Sequence, residues 1–312
     1  MTQILPLKSK LNLLQCYESK ESIGEKYSNL MRNNLYRRLT RNALPIFLKI
    51  DDVISNSPAS LGFYEKRIIN LIKYLAESFE HKILIDIGAN VGLISCQAGN
   101  FFDKVYCFEP NPLCFKILEV NASISLNRAT TQLYNYGLGH SDKTAMLKFP
   151  KHNWGGAFIN DDQNSYTAGE LLAKDGSEND KNYVCTCVEI KKADLIFSQI
   201  FDSISAEKNA AIIIKIDVEG YEIPIIQNLA SVYPKNTKLF VIFEYHSRSI
   251  FNKNFEELFN NRAHLYQLVR TPEKKVSKLE RLMKVIINLG YSYEIKPADR
   301  SCTSTDFVLE VN

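Results

Sequence analysis

The sequence has no apolar run long enough to cross a membrane. Its longest apolar runs have the length of a β-strand, well short of the ~20 residues that a spanning helix needs. The first residues, MTQILPLKSKLNLLQ, are interrupted by charges and have neither the apolar core nor the cleavage site of a secretory signal. We therefore expect no membrane span and a cytoplasmic location.

A strong excess of one charge is also missing. The 312 residues include 38 Lys and Arg against 35 Asp and Glu, a formal net charge of +3. Surfaces that bind nucleic acid or membranes are strongly basic and clustered, so this balance predicts no nucleic-acid partner. Hydrophobic residues at 45% and charged residues at 23% are typical of a globular protein and exclude a disordered chain.

The cysteines do not form a disulfide pattern. There are seven, an odd number at irregular spacing, which favours a reducing compartment. Cys185 and Cys187 alternate on a strand-like segment and therefore share a face, but no second pair completes a zinc site. We interpret them as ordinary thiols.

Strand-like and helix-like segments alternate along most of the chain. ILIDI, VYCFEP, TQLYNYGLG, AIIIKI and LFVIFEYHS have strand character, whereas NPLCFKILEVNASISLN and IPIIQNLASVYP have helical spacing. This alternation predicts an α/β domain with a mostly parallel sheet and helices on both faces. We predict that this domain covers residues 61–312, after an N-terminal helical extension over residues 1–60.

Two regions depart from this rhythm. Residues 141–189 are rich in Asn, Asp, Gly and Lys, which predicts an inserted hairpin and a loop. Near the end, KLERLMKVIINLGYSYEI predicts a helix that Gly290 ends. YSYEIKP and TDFVLEV come next as strands with a connection too short for a helical crossover, so we expect them to pair antiparallel.

A glycine-containing turn separates the first strand from the next helix. It reads Asp86-Ile87-Gly88-Ala89-Asn90-Val91-Gly92. Glycines permit sharp turns and close approach of a ligand, and a helix start offers unpaired N–H groups. The full G-x-G-x-x-G fingerprint that seats a pyrophosphate is missing, which argues against NAD or FAD. The turn suits a nucleotide-like ligand without phosphate.

Glu109 ends the next strand, in the sequence FEPN. A carboxylate at this place can accept both hydroxyl protons of a ribose, and Pro110 stiffens the loop that presents it. Alone, Glu109 is an ordinary strand-end residue. Together with Asp86 and the glycine turn it predicts a nucleoside site.

Polar residues also end two other apolar strands. Asp217 and Glu219 come after IIIKI, and Glu244 and His246 end LFVIF. Ligands of open α/β sheets bind beyond the carboxyl ends of the strands, so these residues are candidates for chemistry. An alternative for Glu219 is to favour the dipole of the next helix, and a lone histidine is more often structural.

In this order, the segments ILIDIGANVGLIS, CFEPNP, YNYGLGHSD, IKIDVEGYE and FEYH resemble the FkbM family of methyltransferases. The resemblance covers about residues 52–250. It implies a Rossmann-like class I methyltransferase with a seven-stranded, mostly parallel sheet and a C-terminal antiparallel hairpin. VEIKKADLIF departs from the family pattern, which usually has a Leu-Asp-containing segment there.

The resemblance also implies a cofactor and a reaction. The cofactor is S-adenosyl-L-methionine, and the acceptor is a hydroxyl of a sugar, polysaccharide or related natural product. The implied cofactor-binding residues are Glu65, Asp86, Gly88, Ala89, Asn90, Gly92, Glu109, Pro110 and Leu138. Among these, Glu109 would hold the ribose hydroxyls and Leu138 would lie near the adenine.

Several points of chemistry stay open in the sequence. An alcohol is a poor nucleophile, so a general base is expected, and the candidates are Asp217, Glu219 and His246. Asp217 and Glu244 could supply two ligands to Mg²⁺, although such a cation takes more. Trp154, in NWGGAF, could cover an acceptor sugar or pack within the hairpin.

Three other functions fit parts of the sequence. A nicotinamide-dependent oxidoreductase shares the fold and Glu109 but does not explain KIDVEG. A nucleic-acid methyltransferase is disfavoured by the low net charge and by the missing Asn- or Asp-Pro-Pro-Tyr/Phe motif of amino-base enzymes. A module that binds S-adenosylmethionine without catalysis is the non-enzyme alternative.

Overall fold

The computed structural model describes most of the C-terminal 250 residues and a few before them. Described are residues 27, 30, 31, 34, 45–49, 52–55, 58–59, 62–164, 182–204, 210–235, 237–246, 250–251, 253–270, 293–300 and 304–312. The chain divides into two compact units, Met1–Asn42 and Ala43–Asn312. The four described residues of the first unit are helical. Both sheets and the candidate site belong to the second unit.

Within the described residues, twelve strands, numbered along the chain, form two sheets. They are β1 His81–Ile87, β2 Lys104–Phe108, β3 Thr131–Tyr134, β4 Gly137–Gly139, β5 Lys143–Pro150, β6 Phe158–Ile159, β7 Tyr183–Lys192, β8 Ala210–Ile216, β9 Lys238–Glu244, β10 Ala263–Arg270, β11 Tyr293–Pro297 and β12 Asp306–Val311. The main sheet has the order β11-β10-β12-β9-β8-β1-β2-β3, and the small sheet has the order β4-β7-β5-β6.

Of the α-helices with described bounds, the first precedes β1 and the others connect strands. The helices are α1 Lys66–Ala76, α2 Ser95–Ala98, α3 Pro112–Ser125, α4 Ala193–Asp202, α5 Glu222–Val232 and α6 Phe255–Leu258. Short 3₁₀ turns occur at Val53–Ser55, Gly99–Phe101 and Trp154–Gly156. Among the described residues, no helix is long and apolar enough to span a membrane.

The centre of the main sheet is parallel and buried on both faces. β3, β2, β1, β8 and β9 pair in parallel, with Ile85 opposite Ile214. Every residue of β8 is buried. Ile85 and Ile214 belong to the core on one face, with α4 and α5, whereas Leu84 and Ile213 belong to the core on the other, with α1 and α3. The predicted α/β architecture is therefore present.

The far edge of the main sheet differs from the prediction. The sheet has eight strands, not seven, and the two C-terminal strands do not pair with each other. β10 lies between them and pairs antiparallel with both β11 and β12. The segment AHLYQLVR has several polar and half-buried positions, so its strand character is weak in the sequence. β11 is the mostly exposed edge strand.

The small sheet lies largely in the insertion predicted over residues 141–189, but β4 precedes that range and β7 runs past it to Lys192. β5 and β7 form its long antiparallel pair, with Met146 opposite Cys187. The stretch TQLYNYGLG contributes to both sheets, because β3 belongs to the main one and β4 to the small one. The predicted loop before β7 lies mostly outside the described residues. So do most of the helix predicted before Gly290 and most of the N-terminal extension.

Candidate active site

The glycine turn lies where β1, β2 and β8 end side by side. The amides of Gly88 and Ala89 donate to the Phe108 carbonyl at 2.9 and 3.0 Å. Gly88 has a φ of +81°, and a Cβ there would lie 1.9 Å from the Asp217 carbonyl oxygen. Only glycine fits this contact, because both its backbone conformation and its missing side chain are needed.

Glu109 is held under this turn. Its Oε2 accepts from the Asn90 amide at 2.8 Å and its Oε1 from the Asn111 amide at 2.7 Å. Burial raises the pKa of Glu109 to about 7. A carboxylate has about four lone-pair sites, so two such bonds leave acceptor capacity for ligand hydroxyls.

Asp86 ends β1 as a buried side chain with an unused oxygen. Ser95 donates to its Oδ2, whereas its Oδ1 has no hydrogen-bond partner within the described part of the chain. The same holds for Oδ1 of Asn90, whose backbone is left-handed with a φ of 52°. Burial raises the pKa of Asp86. Buried polar atoms without partners are rare in folded proteins, so these two oxygens are candidates for contacts with a ligand.

Lys215 is a site residue that was not predicted from the sequence. Its Nζ lies 2.6 Å from Oδ2 of Asp217, and the whole side chain is nearly buried. Although burial opposes the charge, Asp217, Asp86 and Glu65 raise the pKa of Lys215 above its ordinary value. The signal was a lysine inside the otherwise apolar strand AIIIKI.

Glu65 reaches the site from the start of α1. Its backbone is left-handed, with φ 39° and ψ 51°, which is strained for a residue other than glycine. The Gln97 side chain holds the preceding residue in place, accepting from the Tyr64 amide at 3.0 Å and donating to its carbonyl at 3.3 Å. Burial raises the pKa of Glu65 to about 7.

Two cavities meet at the turn. The first, of about 620 Å³ including space open to solvent, has mostly apolar walls and contains Glu109. The second, of about 740 Å³, has charged walls. Gly88, Asn90, Gly155 and Asp217 line both. Tyr221 and Trp154 line only the first cavity, and Tyr64 lines only the second.

Most of the predicted site residues lie in these walls. Glu109, Pro110 and Leu138 line the first cavity. The second is lined by Glu65, Asp86, Ala89, Glu219 and Glu244.

Two predicted residues lie elsewhere. Gly92 packs against α3, because a Cβ there would lie 2.9 Å from Leu118 Cδ1. His246 lines neither cavity; its side chain is 41% exposed, with Nε2 3.3 Å from Oε1 of Glu244.

The hypothesis of a Mg²⁺ site finds no support in this geometry. In the described ranges, no group of three His, Cys, Asp or Glu side chains is close enough to hold a metal ion. Asp217 is instead paired with Lys215, and Glu244 accepts from Thr305 Oγ1 at 3.1 Å.

Trp154 lies beside the predicted nucleoside residues rather than in the charged cavity. It shares the first cavity with Glu109 and Leu138. Its ring packs edge-on against Phe149, with 6.0 Å between centroids. Its amide donates to the buried Asp52 carboxylate at 3.1 Å, which ties the hairpin to the segment before α1. Hairpin packing, one of the two predicted roles, is therefore present.

Comparisons with known proteins agree with this geometry. The family model described as "Methyltransferase FkbM domain" matches residues 86–293. Methyltransferase sdnD from Sordaria araneosa is 24% identical over 154 residues, which are 47% of this chain. The match spans 60% of that protein, less than two thirds of its length.

Solved structures with some likeness include methyltransferases. A SAM-dependent methyltransferase from Agrobacterium tumefaciens has a TM-score of 0.39 at 9% identity, covering 81% of this chain and 64% of its own. Precorrin-6y C5,15-methyltransferase from Geobacter metallireducens GS-15 has a TM-score of 0.37 at 10% identity, covering 80% of this chain and 94% of its own. Both TM-scores are below 0.5, so these likenesses carry no argument, and the family is assigned from the match of the family model alone.

Gly88→Ala should strongly destabilise the protein. The substitution combines a left-handed backbone with a clash against the Asp217 carbonyl, so we expect a loss of at least ~2 kcal/mol in unfolding free energy. Denaturant unfolding of the purified variant measures it. Gly139→Ala is the control, because its new Cβ meets side chains and no backbone, with Ile190 at 2.8 Å and Tyr221 at 3.7 Å, and its backbone is not left-handed. Equal losses in both variants would contradict the account.

Proposed function

Because the chain belongs to the FkbM methyltransferase domain family, we propose that it is an S-adenosylmethionine-dependent O-methyltransferase acting on a hydroxyl of a sugar, polysaccharide or related natural product. The observation that carries the proposal is Asp217, which lines both cavities where they meet. One cavity suits a nucleoside and the other suits a polar, cationic group. In S-adenosylmethionine the methyl-bearing sulfur joins the nucleoside to the amino-acid end, so the methyl group would lie at this junction, beside Asp217.

The residues present fit S-adenosylmethionine. Glu109 would hold the ribose hydroxyls, and the apolar wall with Pro110 and Leu138 would hold the adenine. Gly88, Ala89 and Asn90 would contact the methionine and ribose side, where Asn90 Oδ1 has no partner among the described residues. When bound, the cofactor supplies a methyl group on a positively charged sulfur.

The buried acids of the second cavity support the placement of the amino group. Asp86 Oδ1 has no hydrogen-bond partner within the described part, and Glu65 lies in the same wall. Buried carboxylates are costly without a paired cation. An ammonium group between them would remove that cost, so we assign the amino-acid end of the cofactor to this cavity.

We propose Asp217 as the group that accepts the proton of the acceptor hydroxyl. Lys215 fixes its Oδ2 at 2.6 Å, which sets the direction of the carboxylate. Glu219 lines only the second cavity, and His246 lines neither. Holding the acceptor in line can contribute up to ~7 to 11 kcal/mol to lowering the barrier. A positioned base adds roughly 10² to 10⁴-fold.

The charge of the second cavity supports an uncharged acceptor. Five carboxyl side chains line it against one lysine, which already pairs with Asp217: Glu65, Asp86, Asp217, Glu219 and Glu244. Unfavourable electrostatics of this kind exclude wrong partners. A phosphorylated acceptor, including nucleic acid, would be repelled, whereas a neutral sugar hydroxyl would not.

A reducing compartment is the proposed location. Five cysteines in the described part of the chain carry free thiols, and two of them, Cys185 and Cys187, are exposed. Such thiols persist where glutathione and thioredoxin keep them reduced, which supports the cytoplasm.

Binding of the cofactor product should depend on pH through Glu65. Below pH 7 this carboxyl is mostly protonated, and it ionises as the pH rises through about 7. Only the ionised form attracts an ammonium, so S-adenosylhomocysteine should bind up to about tenfold more tightly at pH 8 than at pH 6. Calorimetric titration at both values measures this.

5′-Methylthioadenosine is the matched control ligand, because it has the nucleoside but no amino-acid end. Any titration of Glu109 changes the affinities for both ligands. The ratio of the two affinities therefore isolates the contribution of the amino-acid end. Glu65→Gln should make that ratio independent of pH. A wild-type ratio that is the same at pH 6 and pH 8 would argue against this placement.

Transfer of labelled methyl groups tests the proposed function directly. We expect label from S-adenosylmethionine on hydroxyls of neutral glycosides, and at least about tenfold less on their phosphorylated counterparts. Asp217→Asn should lower kcat by roughly 10² to 10⁴-fold while leaving affinity for S-adenosylhomocysteine within about threefold. His246→Ala should keep most of the activity.

Two results would overturn the proposal. Full activity of Asp217→Asn would remove the assigned base. Saturable binding of S-adenosylhomocysteine without transfer to any carbohydrate would favour the non-catalytic binding module instead.

A further inference from the structure

The loop between β8 and α5 has an unusual backbone. It covers residues 217–221 and carries Asp217 and Glu219 into the site. Glu219 has a φ of 49° and Gly220 a φ of 103°, so two successive residues are left-handed. Such conformations persist only where the surroundings fix them, and they cluster at functional sites.

The main sheet holds one side of this loop. The Asp217 amide donates to the Ile87 carbonyl at 3.0 Å. The buried Glu222 accepts from the Gly220 amide at 2.9 Å and from the Val218 amide at 3.3 Å. These contacts, from the main sheet and from the start of α5, fix the amides of Asp217, Val218 and Gly220. They do not include the Glu219 carbonyl.

Asn164, next to the small sheet, holds the other side. Its Nδ2 donates to the Glu219 carbonyl at 3.0 Å and to the Ile159 carbonyl, in β6, at 2.8 Å. A side-chain amide has two N–H groups and can therefore bridge two carbonyls. A Cβ on Gly220 would lie 1.9 Å from Asn164 Oδ1, so glycine is needed there for the contact as well as for its φ.

A second set of contacts between the loop and the small sheet is centred three residues before Asn164. Asp161 accepts from the Tyr221 hydroxyl at 2.6 Å and pairs with Lys143 Nζ at 2.7 Å. Lys143 also donates to the Tyr221 hydroxyl at 3.0 Å. Because Lys143 belongs to β5 and Tyr221 lines the first cavity, this cluster also joins the small sheet to the end of the loop.

We propose that Asn164 is a positioning residue for methyl transfer, which clamps the loop of Asp217 and Glu219 to the small sheet. The inference rests on the proposed function, because it assigns that loop to the acceptor side. The inference also gives the small sheet a role, because the small sheet would fix the geometry of the reacting groups. Asn164 lines neither cavity, so cofactor affinity should depend on it little.

Amide hydrogen exchange, read with and without S-adenosylhomocysteine, tests the clamp. In Asn164→Ala, the peptide covering residues 217–221 should exchange at least about tenfold faster. The thermal midpoint should fall by no more than ~4 °C. Affinity for S-adenosylhomocysteine should stay within about threefold, and kcat should fall roughly 10- to 100-fold.

Two further variants make the result specific. Asn164→Asp keeps the shape but cannot donate, so it should match Asn164→Ala in both exchange and kcat. Asn160→Ala removes the same residue type from an exposed position of the same segment and should behave like the wild type. Unchanged exchange in Asn164→Ala, or equal losses in Asn160→Ala, would overturn the clamp. Failure of the wild type to bind S-adenosylhomocysteine would instead count against the proposed function, because exchange of the unliganded protein still tests the clamp.

Discussion

The contact between the Gly88 backbone and the Asp217 carbonyl is the constraint on which the site depends. β1 and β8 are parallel neighbours, so their carboxyl ends meet at one edge of the sheet. The Asp217 amide bonds to Ile87, and the glycine turn bonds to the end of β2. This arrangement brings the glycine turn, Glu109 and Asp217 within one small region. Both cavities open from that region, and any widening at Gly88 would separate the groups that must act together.

Electrostatics support the proposal of a cationic partner for this arrangement. Burial raises the pKa of Glu65 and of Glu109 to about 7, and it also raises that of Asp86. Lys215 is the cation that the structure places among the carboxyls of the second cavity, and it is paired with Asp217 at one oxygen. A bound positive charge would stabilise the ionised acids, because an opposite charge nearby favours the charged form. The polar edge of this fold therefore supports the proposal of a ligand that is itself polar and partly cationic.

The sequence predicts the parts of the fold whose apolar pattern is strong. β1, β2 and β8 have strong apolar patterns, and the residues at their carboxyl ends line the two cavities, which is why Asp86, Glu109 and Asp217 could be selected as candidates. β10 could not, since its half-buried pattern has no clear period and its partners lie far along the chain. Lys215 stands inside an apolar run and could have been recognised by that contrast. The position of His246 outside the cavities depends on the path of the chain after β9. The periodicity of apolar residues does not predict that path. The role of Trp154 at the first cavity depends on how the small sheet sits over the main one.

Fluorescence of Trp154, the chain's one tryptophan, tests the central claim most directly, because this residue lines the first cavity. The account predicts that S-adenosylhomocysteine and 5′-methylthioadenosine each change the emission saturably, whereas methionine alone and NAD⁺ do not. Glu109→Gln should weaken the response to both nucleosides. A saturable response to NAD⁺ in place of S-adenosylhomocysteine, or no response of the folded protein to either nucleoside, would contradict the assignment of this cavity.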